Sequence, residues 1–561
     1  MILVVYWLRR RGFPFGVEGA GVVVLLLVLL WVLVAVGLIA AWPVLGRRRG
    51  AVPGFLAGVL GFALVHLLMY GVVAEDAYIS LRYSQQLADG NGPVFNVGEK
   101  VEGYSNFLWV VLVAIPAVVA GADVVTVARV LGVLCALATI VVAFDLVRRI
   151  SGSAPAGLLA ATVIAASGGL AGYGASGLET PLFVLLMLLT LLAVWVKRPL
   201  LAGVLVALAT MTRPDGALIA VLIGGWLIWR AFRTRTGWRA PVWYLAGALV
   251  LAVPWTIWRL TYYGHLLPNA VVAKSGVSLD ILFGIGWDYL LGFVTITQAL
   301  LLLVPVAIFL LAFRRGDDGH EARALIWLIF GLASAYTTFV VLVGGDWMPA
   351  YRLFAPVVPL LVVGIAAVWA LPRGLDPDRP RPLPRAGAVV AASLALLMIA
   401  VSATHTRMRP AFLAWERSIA QLADTGRWLD RSLPPDAVIS TYANGALTFA
   451  TGNDRMVVDQ LGLTDEHIAR NGKRDPNGMV GHQAYDFEYL VDVRRPDVMV
   501  TDGRGFLDSK VCTPATVFAE DYQLANFQVG EQWLFLYVRK DKADALLGAL
   551  GTDPRFRYQP C

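Results

Sequence analysis

Apolar runs alternate with short polar interruptions along most of this chain, and many runs have the length of a membrane span. Residues 22–42 predict a first helix with arginine triplets on both sides: Arg9, Arg10 and Arg11 before it, Arg47, Arg48 and Arg49 after it. That symmetry gives the helix no orientation. Further spans are predicted at 51–74, 124–147, 156–172, 181–196, 199–211, 216–229, 242–260, 294–313, 325–343, 353–371 and 388–401. Residues 107–121 are short for a span and predict an interfacial or re-entrant helix.

With Arg47 to Arg49 placed in the cytoplasm, about eleven crossings follow at one span per apolar run. Arg148 and Arg149, Lys197 and Arg198, the arginines at 230, 233, 235 and 239, Arg314 and Arg315, and the basic stretch 373–385 then share the cytoplasmic side. The motif-like polar loops collect on the other side. Beyond His405 the pattern changes. Residues 412–429 have helical spacing with Pro434 and Pro435 as a stop, and 437–441, 498–501 and 533–538 read as strands. The expected organisation is a polytopic α-helical membrane module at 1–404, with its first outer loop at 75–123, and an extracytoplasmic soluble α/β domain at 405–561.

Composition agrees with that division. Of the 561 residues 58% are hydrophobic and only 15% charged, with a mean hydropathy of +0.68. A soluble globular protein of this size could not keep so much apolar surface from water. The formal charge of +7 lies in basic clusters between apolar runs, a topology signal rather than a nucleic-acid footprint. Of three cysteines, Cys135 falls in an apolar run, while Cys512 and Cys561 fall in the polar C-terminal part, with a disulfide and two free thiols both open. The start does not read as a cleavable leader, because another apolar run follows at once.

The most informative stretch is 74–109, which leaves an apolar run directly into two adjacent acids, Glu75 and Asp76. Two acids at a membrane boundary must hydrate, pair or work. One plain reading is a hydrated helix end with a Glu75–Arg82 pair. Residues 76–87 predict a helix with Asp76, Ser80, Tyr83 and Leu87 on one face and Glu75, Arg82 and Gln86 on another. Gly90-Asn91-Gly92-Pro93 then predicts a turn. The polar loop beyond it carries Glu99, Lys100, Glu102, Tyr104 and Asn106.

Four more segments fall on the same side by the crossing count. Glu179 opens a predicted membrane helix, where the macrodipole alone would favour an acid. Arg213 and Asp215 form a salt-bridged helix start on the plain reading. The loop 262–274 carries Tyr263, His265 and Lys274. The segment 344–352 carries Asp346 and Arg352, where a guanidinium either grips phosphate oxygens or snorkels to the interface.

Carboxylates, cations and aromatics at one depth suit transfer of a sugar from an isoprenoid-phosphate donor. A carboxylate, Asp76 or Glu75, deprotonates the acceptor hydroxyl, and Arg352, Lys274, His265 and Arg82 stabilise the departing phosphate. Glu102, Tyr104, Asn106, Glu179, Tyr263 and Asp346 are then candidates to hold substrate. A carboxylate pair without histidine or fixed spacing is nonspecific as a metal signal, so no cofactor is implied and a divalent cation stays open. The expected partners are the lipid-linked donor, an envelope glycan acceptor and the bilayer, not nucleic acid. The expected location is the cell membrane, with the active site and C-terminal domain extracytoplasmic.

The motifs Glu75-Asp76-Ala77-Tyr78, GNGPVFNVGEKVEGYSNFLW, SGLETPLF, TRPDG, YYGHLLPNAVVAK, GGDWMPAYR and DQLGLTDEHIAR resemble the GT-C membrane glycosyltransferases that use polyprenyl-phosphate sugars. The pattern looks most like the actinobacterial terminal β-arabinofuranosyltransferases, whose donor is decaprenyl-phosphoarabinose. The resemblance implies catalytic acids in the first outer loop, here Glu75 and Asp76. The pair is Glu-Asp where that subgroup implies Asp-Asp, which keeps another sugar, such as mannose, as an alternative. A flippase or transporter of a lipid-linked sugar is a second reading. It would call for ionisable residues deep within spans, of which His66 is the clearest. A non-catalytic envelope scaffold is a third.

Overall fold

A computed structural model describes residues 20–45, 50–235, 237–313, 319–371, 385–475, 478, 481–501 and 506–561. The arginines at 9–11, 47–49, 314 and 315, and the basic stretch 373–384, lie outside the described residues. Among the described residues nine helices are long and apolar enough to cross a membrane, or ten if one bent pair counts as a span. The chain is thus a multi-pass membrane protein of the expected class. The predicted number of spans is larger because Thr180–Trp195, expected to cross, and Pro199–Thr212, expected to cross or to stop at the interface, are shorter apolar helices.

Two compact units divide the chain. The first comprises the residues up to Val72, Val130–Ala252 and Leu279–Leu413. Its helices pack as near neighbours: Ala51–Tyr70 and Arg385–Thr404 against Ala154–Ala165, His320–Leu342 against Val357–Ala370, and Thr180–Trp195 against Pro199–Thr212.

One expected span is broken. Residues 156–172 were predicted as a continuous helix, but Ala154–Ala165 and Gly168–Gly174 meet at a 65° bend. The tandem Gly168-Gly169 weakens helix continuity there. The freed carbonyl of Ala165 accepts a hydrogen bond from His66 Nδ1 at 3.0 Å. Because a carbonyl can only accept, Nδ1 bears the proton and Nε2 accepts from Ser402 Oγ at 2.8 Å. Tyr70 OH meets the same Oγ at 2.7 Å. The predicted 294–313 span also differs, with one helix already running over Leu279–Leu301 and a shorter one over Leu303–Phe313.

The second unit is drawn from three stretches, Val73–Arg129, Val253–Ser278 and Ala414–Cys561. The C-terminal residues therefore share one compact unit with the first polar loop. Its sheet has six strands: β1 (Ile439–Thr441), β2 (Val457–Asp459), β5 (Val498–Val500), β6 (Tyr522–Val529), β7 (Gln532–Arg539) and β8 (Arg557–Tyr558). A separate ribbon pairs β3 (Lys473–Arg474) with β4 (Ala484–Tyr485). The sheet order is β2-β1-β5-β7-β6-β8, with β1 parallel to β2 and β5 and the remaining pairs antiparallel. The three parallel strands are buried at every position, including the polar Ser440, Thr441 and Asp459. Trp428 is fully buried and stacked on Phe556 at 4.2 Å. Cys512 and Cys561 form a disulfide.

Candidate active site

The helix Ala77–Ala88 begins immediately after the two acids and shows the two faces expected of it. On one, Ser80 Oγ donates to Asn106 Oδ1 at 3.0 Å, and Tyr83 OH donates to the Val101 carbonyl at 2.7 Å while accepting from Gly103 N. On the other stand Glu75, Arg82 and Gln86. The predicted turn follows, with Gly90 and Gly92 at φ +87° and +82°, conformations that favour glycine.

Glu75 Oε1 accepts two backbone hydrogen bonds, from Gly445 N at 2.7 Å and Ala446 N at 3.2 Å. The residue keeps some surface, yet its carboxyl end is enclosed. Burial, reinforced by the neighbouring Asp76 carboxylate, pushes Glu75 up to about 8 against the pull of the two amides. Two adjacent enclosed acids cannot both ionise cheaply, so the pair holds on to a proton above the ordinary carboxylate range.

Arg82, a candidate phosphate ligand by sequence, does not pair with Glu75 but turns its guanidinium to the backbone. Fully buried, it donates to the carbonyls of Phe95 (2.8 Å), Thr448 (2.8 Å), Gly452 (2.9 Å), Asn453 (3.5 Å) and Arg455 (2.8 Å). Its donors are spent on the backbone. Burial lowers it to about 10, still charged at neutral pH.

Glu102 forms a buried bidentate pair with Arg259, a residue the sequence reading passed over inside an apolar run. Tyr104 and Tyr263 meet hydroxyl to hydroxyl at 3.0 Å, and Tyr263 OH donates to the Pro93 carbonyl at 2.7 Å. His265 pairs with Glu466 at 2.6 Å. Lys274 is exposed and makes no ion pair among the described residues; its aliphatic stem lies beside Gly481. Asn269, from the same loop, donates to the carbonyls of Gly462, Leu463 and Asp465 and ties down the segment 459–465. Asp459 organises that segment, accepting from Leu461 N and Thr464 N at 2.8 Å each, with burial pushing it up to about 6.

The first unit holds the remaining candidates. Arg213 forks onto Asp215 at 3.0 and 3.1 Å and reaches Glu179 at 3.7 Å. Tyr336 OH donates to Asp215, so the plain reading of Arg213 and Asp215 holds. Arg352 Nε donates to Asp346 at 2.6 Å. It is delivered by a strained turn in which Ala350 and Tyr351 both take left-handed φ, +55° and +51°. Ala350 N donates to the Arg407 carbonyl, and Tyr173 OH to the Pro349 carbonyl. Both ring nitrogens of His66 are engaged in its bent-helix network. Among the described residues no group of three His, Cys, Asp or Glu side chains converges to hold a metal ion.

Residues 411–545 match a domain of unknown function, DUF8728. The chain is 28% identical over 344 residues to a terminal β-(1→2)-arabinofuranosyltransferase of Corynebacterium glutamicum, covering 54% of this chain and 49% of the relative. It is 29% identical over 355 residues to one from Mycobacterium tuberculosis, covering 55% and 54%. The chain spans about half the length of the curated relatives it matches. Among solved structures, that of ArnT from Cupriavidus metallidurans in the apo state superposes with a TM-score of 0.56 at 14% identity, covering 87% of this chain and 98% of ArnT. The chain thus has a fold like that of ArnT, and the resemblance read from its motifs extends to its sequence relatives, the terminal β-(1→2)-arabinofuranosyltransferases.

Proposed function

We propose that this protein is a glycosyltransferase that moves a sugar from a polyprenyl-phosphate donor to a hydroxyl of a cell-envelope glycan, on the extracytoplasmic side of the membrane. The names of its relatives favour arabinofuranose as the sugar, and the motif resemblance implies decaprenyl-phosphoarabinose as its carrier. The observation that carries this reading is the pair of adjacent acids, Glu75 and Asp76, which follows the helix Ala51–Tyr70 in the chain, with one carboxyl oxygen of Glu75 held by two backbone amides. Asp76 accepts the proton of the acceptor hydroxyl as that oxygen bonds to the anomeric carbon. The carbon–oxygen bond to phosphate breaks, its electron pair leaves with the phosphate, and polyprenyl phosphate departs. Glu75, protonated, hydrogen-bonds Asp76 and orients it. Lys274 is the cation offered to the departing phosphate in the same unit, since it has no ion-pair partner there among the described residues.

Purified protein in lipid discs, incubated with radiolabelled polyprenyl-phospho-arabinose or polyprenyl-phospho-mannose and envelope glycan, tests the reading. Transfer that Asp76→Asn slows by about 10²–10⁴-fold is expected. Transfer from the mannose donor alone would change the sugar, and no transfer from either donor would remove the reading. Movement of intact donor across the bilayer without transfer would favour the flippase.

A further inference from the structure

The segment 445–455 lies inside the domain of unknown function, yet the acid-bearing segment is fastened to it along one continuous face. Glu75, Tyr78, Arg82, Gln86 and Asp89 recur every three or four residues, the spacing of one helical face. Each touches the segment. Glu75 accepts from Gly445 N and Ala446 N, and the Tyr78 ring lies 5.4 Å from that of Phe449. Arg82 binds the carbonyls of Thr448, Gly452, Asn453 and Arg455. Gln86 donates to the Asn453 carbonyl at 2.7 Å, and Asn453 Nδ2 donates to Asp89 at 2.8 Å.

We infer that the segment 445–455 is a positioning element for the acid pair: the Gly445 and Ala446 amides hold one carboxyl oxygen of Glu75 so that the side chain faces Asp76, and Arg82 staples the segment in place. The catalytic consequence rests on the proposed function; the hydrogen-bonded cradle does not.

Docking alone would be served by Tyr78, Arg82 and Gln86. Two amides aimed at a carboxyl that already adjoins a second carboxyl do something further. Both bonds fall on Oε1, and together they favour the ionised form of Glu75, while burial and Asp76 favour the proton. The cradle thereby adjusts where the pair releases its proton. Gly445 leaves the carboxyl its space, because a Cβ there would run into the Glu75 carbonyl and carboxyl oxygens. From its own segment the titratable groups facing Glu75 are Asp76 and Tyr78, with Asp123, Arg129 and Arg427 around Tyr78. From the docked segment, Asp454 faces Arg82, and Arg455 turns to Asp430 and the carbonyls of residues 433, 434 and 437.

The test uses the full chain in lipid discs and needs no substrate. Infrared difference spectra across pH follow the protonated-carboxyl band, assigned to Glu75 by its disappearance in Glu75→Gln. Ala446→Pro deletes one of the two donors at the first position of a short helix, where proline is tolerated. It should move the titration of that band upward by about one pH unit. Gly445→Ala, which crowds the carboxyl, should also move it. An unmoved band in either folded variant overturns the inference. Hydrogen exchange supplies a check that does not depend on those variants folding. The Gly445 and Ala446 amides should exchange at least tenfold faster in Glu75→Ala than in the wild type, and equal rates overturn the inference. Sugar transfer by the wild type is measured separately: its absence with the band shifts present would remove the proposed function and leave the cradle standing.

Discussion

Glu102 and Arg259 stand 157 residues apart in the chain and meet as a buried bidentate ion pair, at 2.8 and 2.6 Å. Burial pushes Glu102 up, and Arg259 pulls it back. Removing one partner leaves the other charge buried without compensation, which costs about 3–5 kcal/mol, whereas replacing both with apolar residues costs much less. Glu102→Gln should therefore destabilise the protein strongly, and Glu102→Leu combined with Arg259→Met should recover much of the loss in denaturant unfolding. If Glu102 instead holds substrate, the single variant will unfold normally and raise KM.

Asp76→Asn keeps the shape of the side chain and removes its basicity, so turnover should fall by about 10²–10⁴-fold. At position 75 glutamine copies the protonated acid: its carbonyl can accept both amides while its NH₂ donates to Asp76. Glu75→Gln should retain most activity and Glu75→Ala should lose it, measured as initial transfer rates. Near-normal turnover in Asp76→Asn with none in Glu75→Gln would exchange the roles of the two acids.

Glu75 rises from 4.5 to about 8 and Asp459 from 3.8 to about 6 in the folded chain. Both bind protons more tightly folded than unfolded. The stability they contribute is complete below about pH 4 and is lost as pH rises, through about 6 for Asp459 and about 8 for Glu75. Thermal unfolding should therefore come several degrees lower at pH 8.5 than at pH 5.5. Glu75→Gln should flatten the part of that slope between about pH 6 and 8.

Arg82→Lys keeps the charge but cannot reproduce a five-donor fork. It should destabilise by about 2–4 kcal/mol because buried carbonyls lose their donors, with KM for a lipid-phosphate donor little changed in the protein that remains folded. A selective rise in KM would restore Arg82 as a phosphate ligand.

The Cys512–Cys561 bond spans 49 residues of sequence and ties the last residue to the sheet domain. Its reduction should remove about 2–4 kcal/mol of stability. Mass spectrometry of alkylated protein, with and without prior reduction, should show the two thiols only after reduction; their alkylation in unreduced protein would mean that the bond does not form.

Features with local causes could be read from the order of residues. Span-length apolar runs, the turn at Gly90-Asn91-Gly92-Pro93 and the two-faced helix after Asp76 all follow from hydropathy, glycine and helical period, and the acid pair stands where those patterns put it. What the side chains do depended on contacts made by folding. Arg82 read equally well as a phosphate ligand or a partner of Glu75, because the five carbonyls it binds carry no sequence signature. Every residue but proline offers a backbone N–H, so nothing in the sequence marked the amides of Gly445 and Ala446, 370 and 371 residues beyond Glu75, as its partners. The apolar run around Ala166 likewise concealed a bend whose freed carbonyl is answered by His66, 99 residues earlier. Local patterns carry helix, turn and membrane crossing. A charge buried among distant backbone groups acquires its role only when folding brings those groups to it.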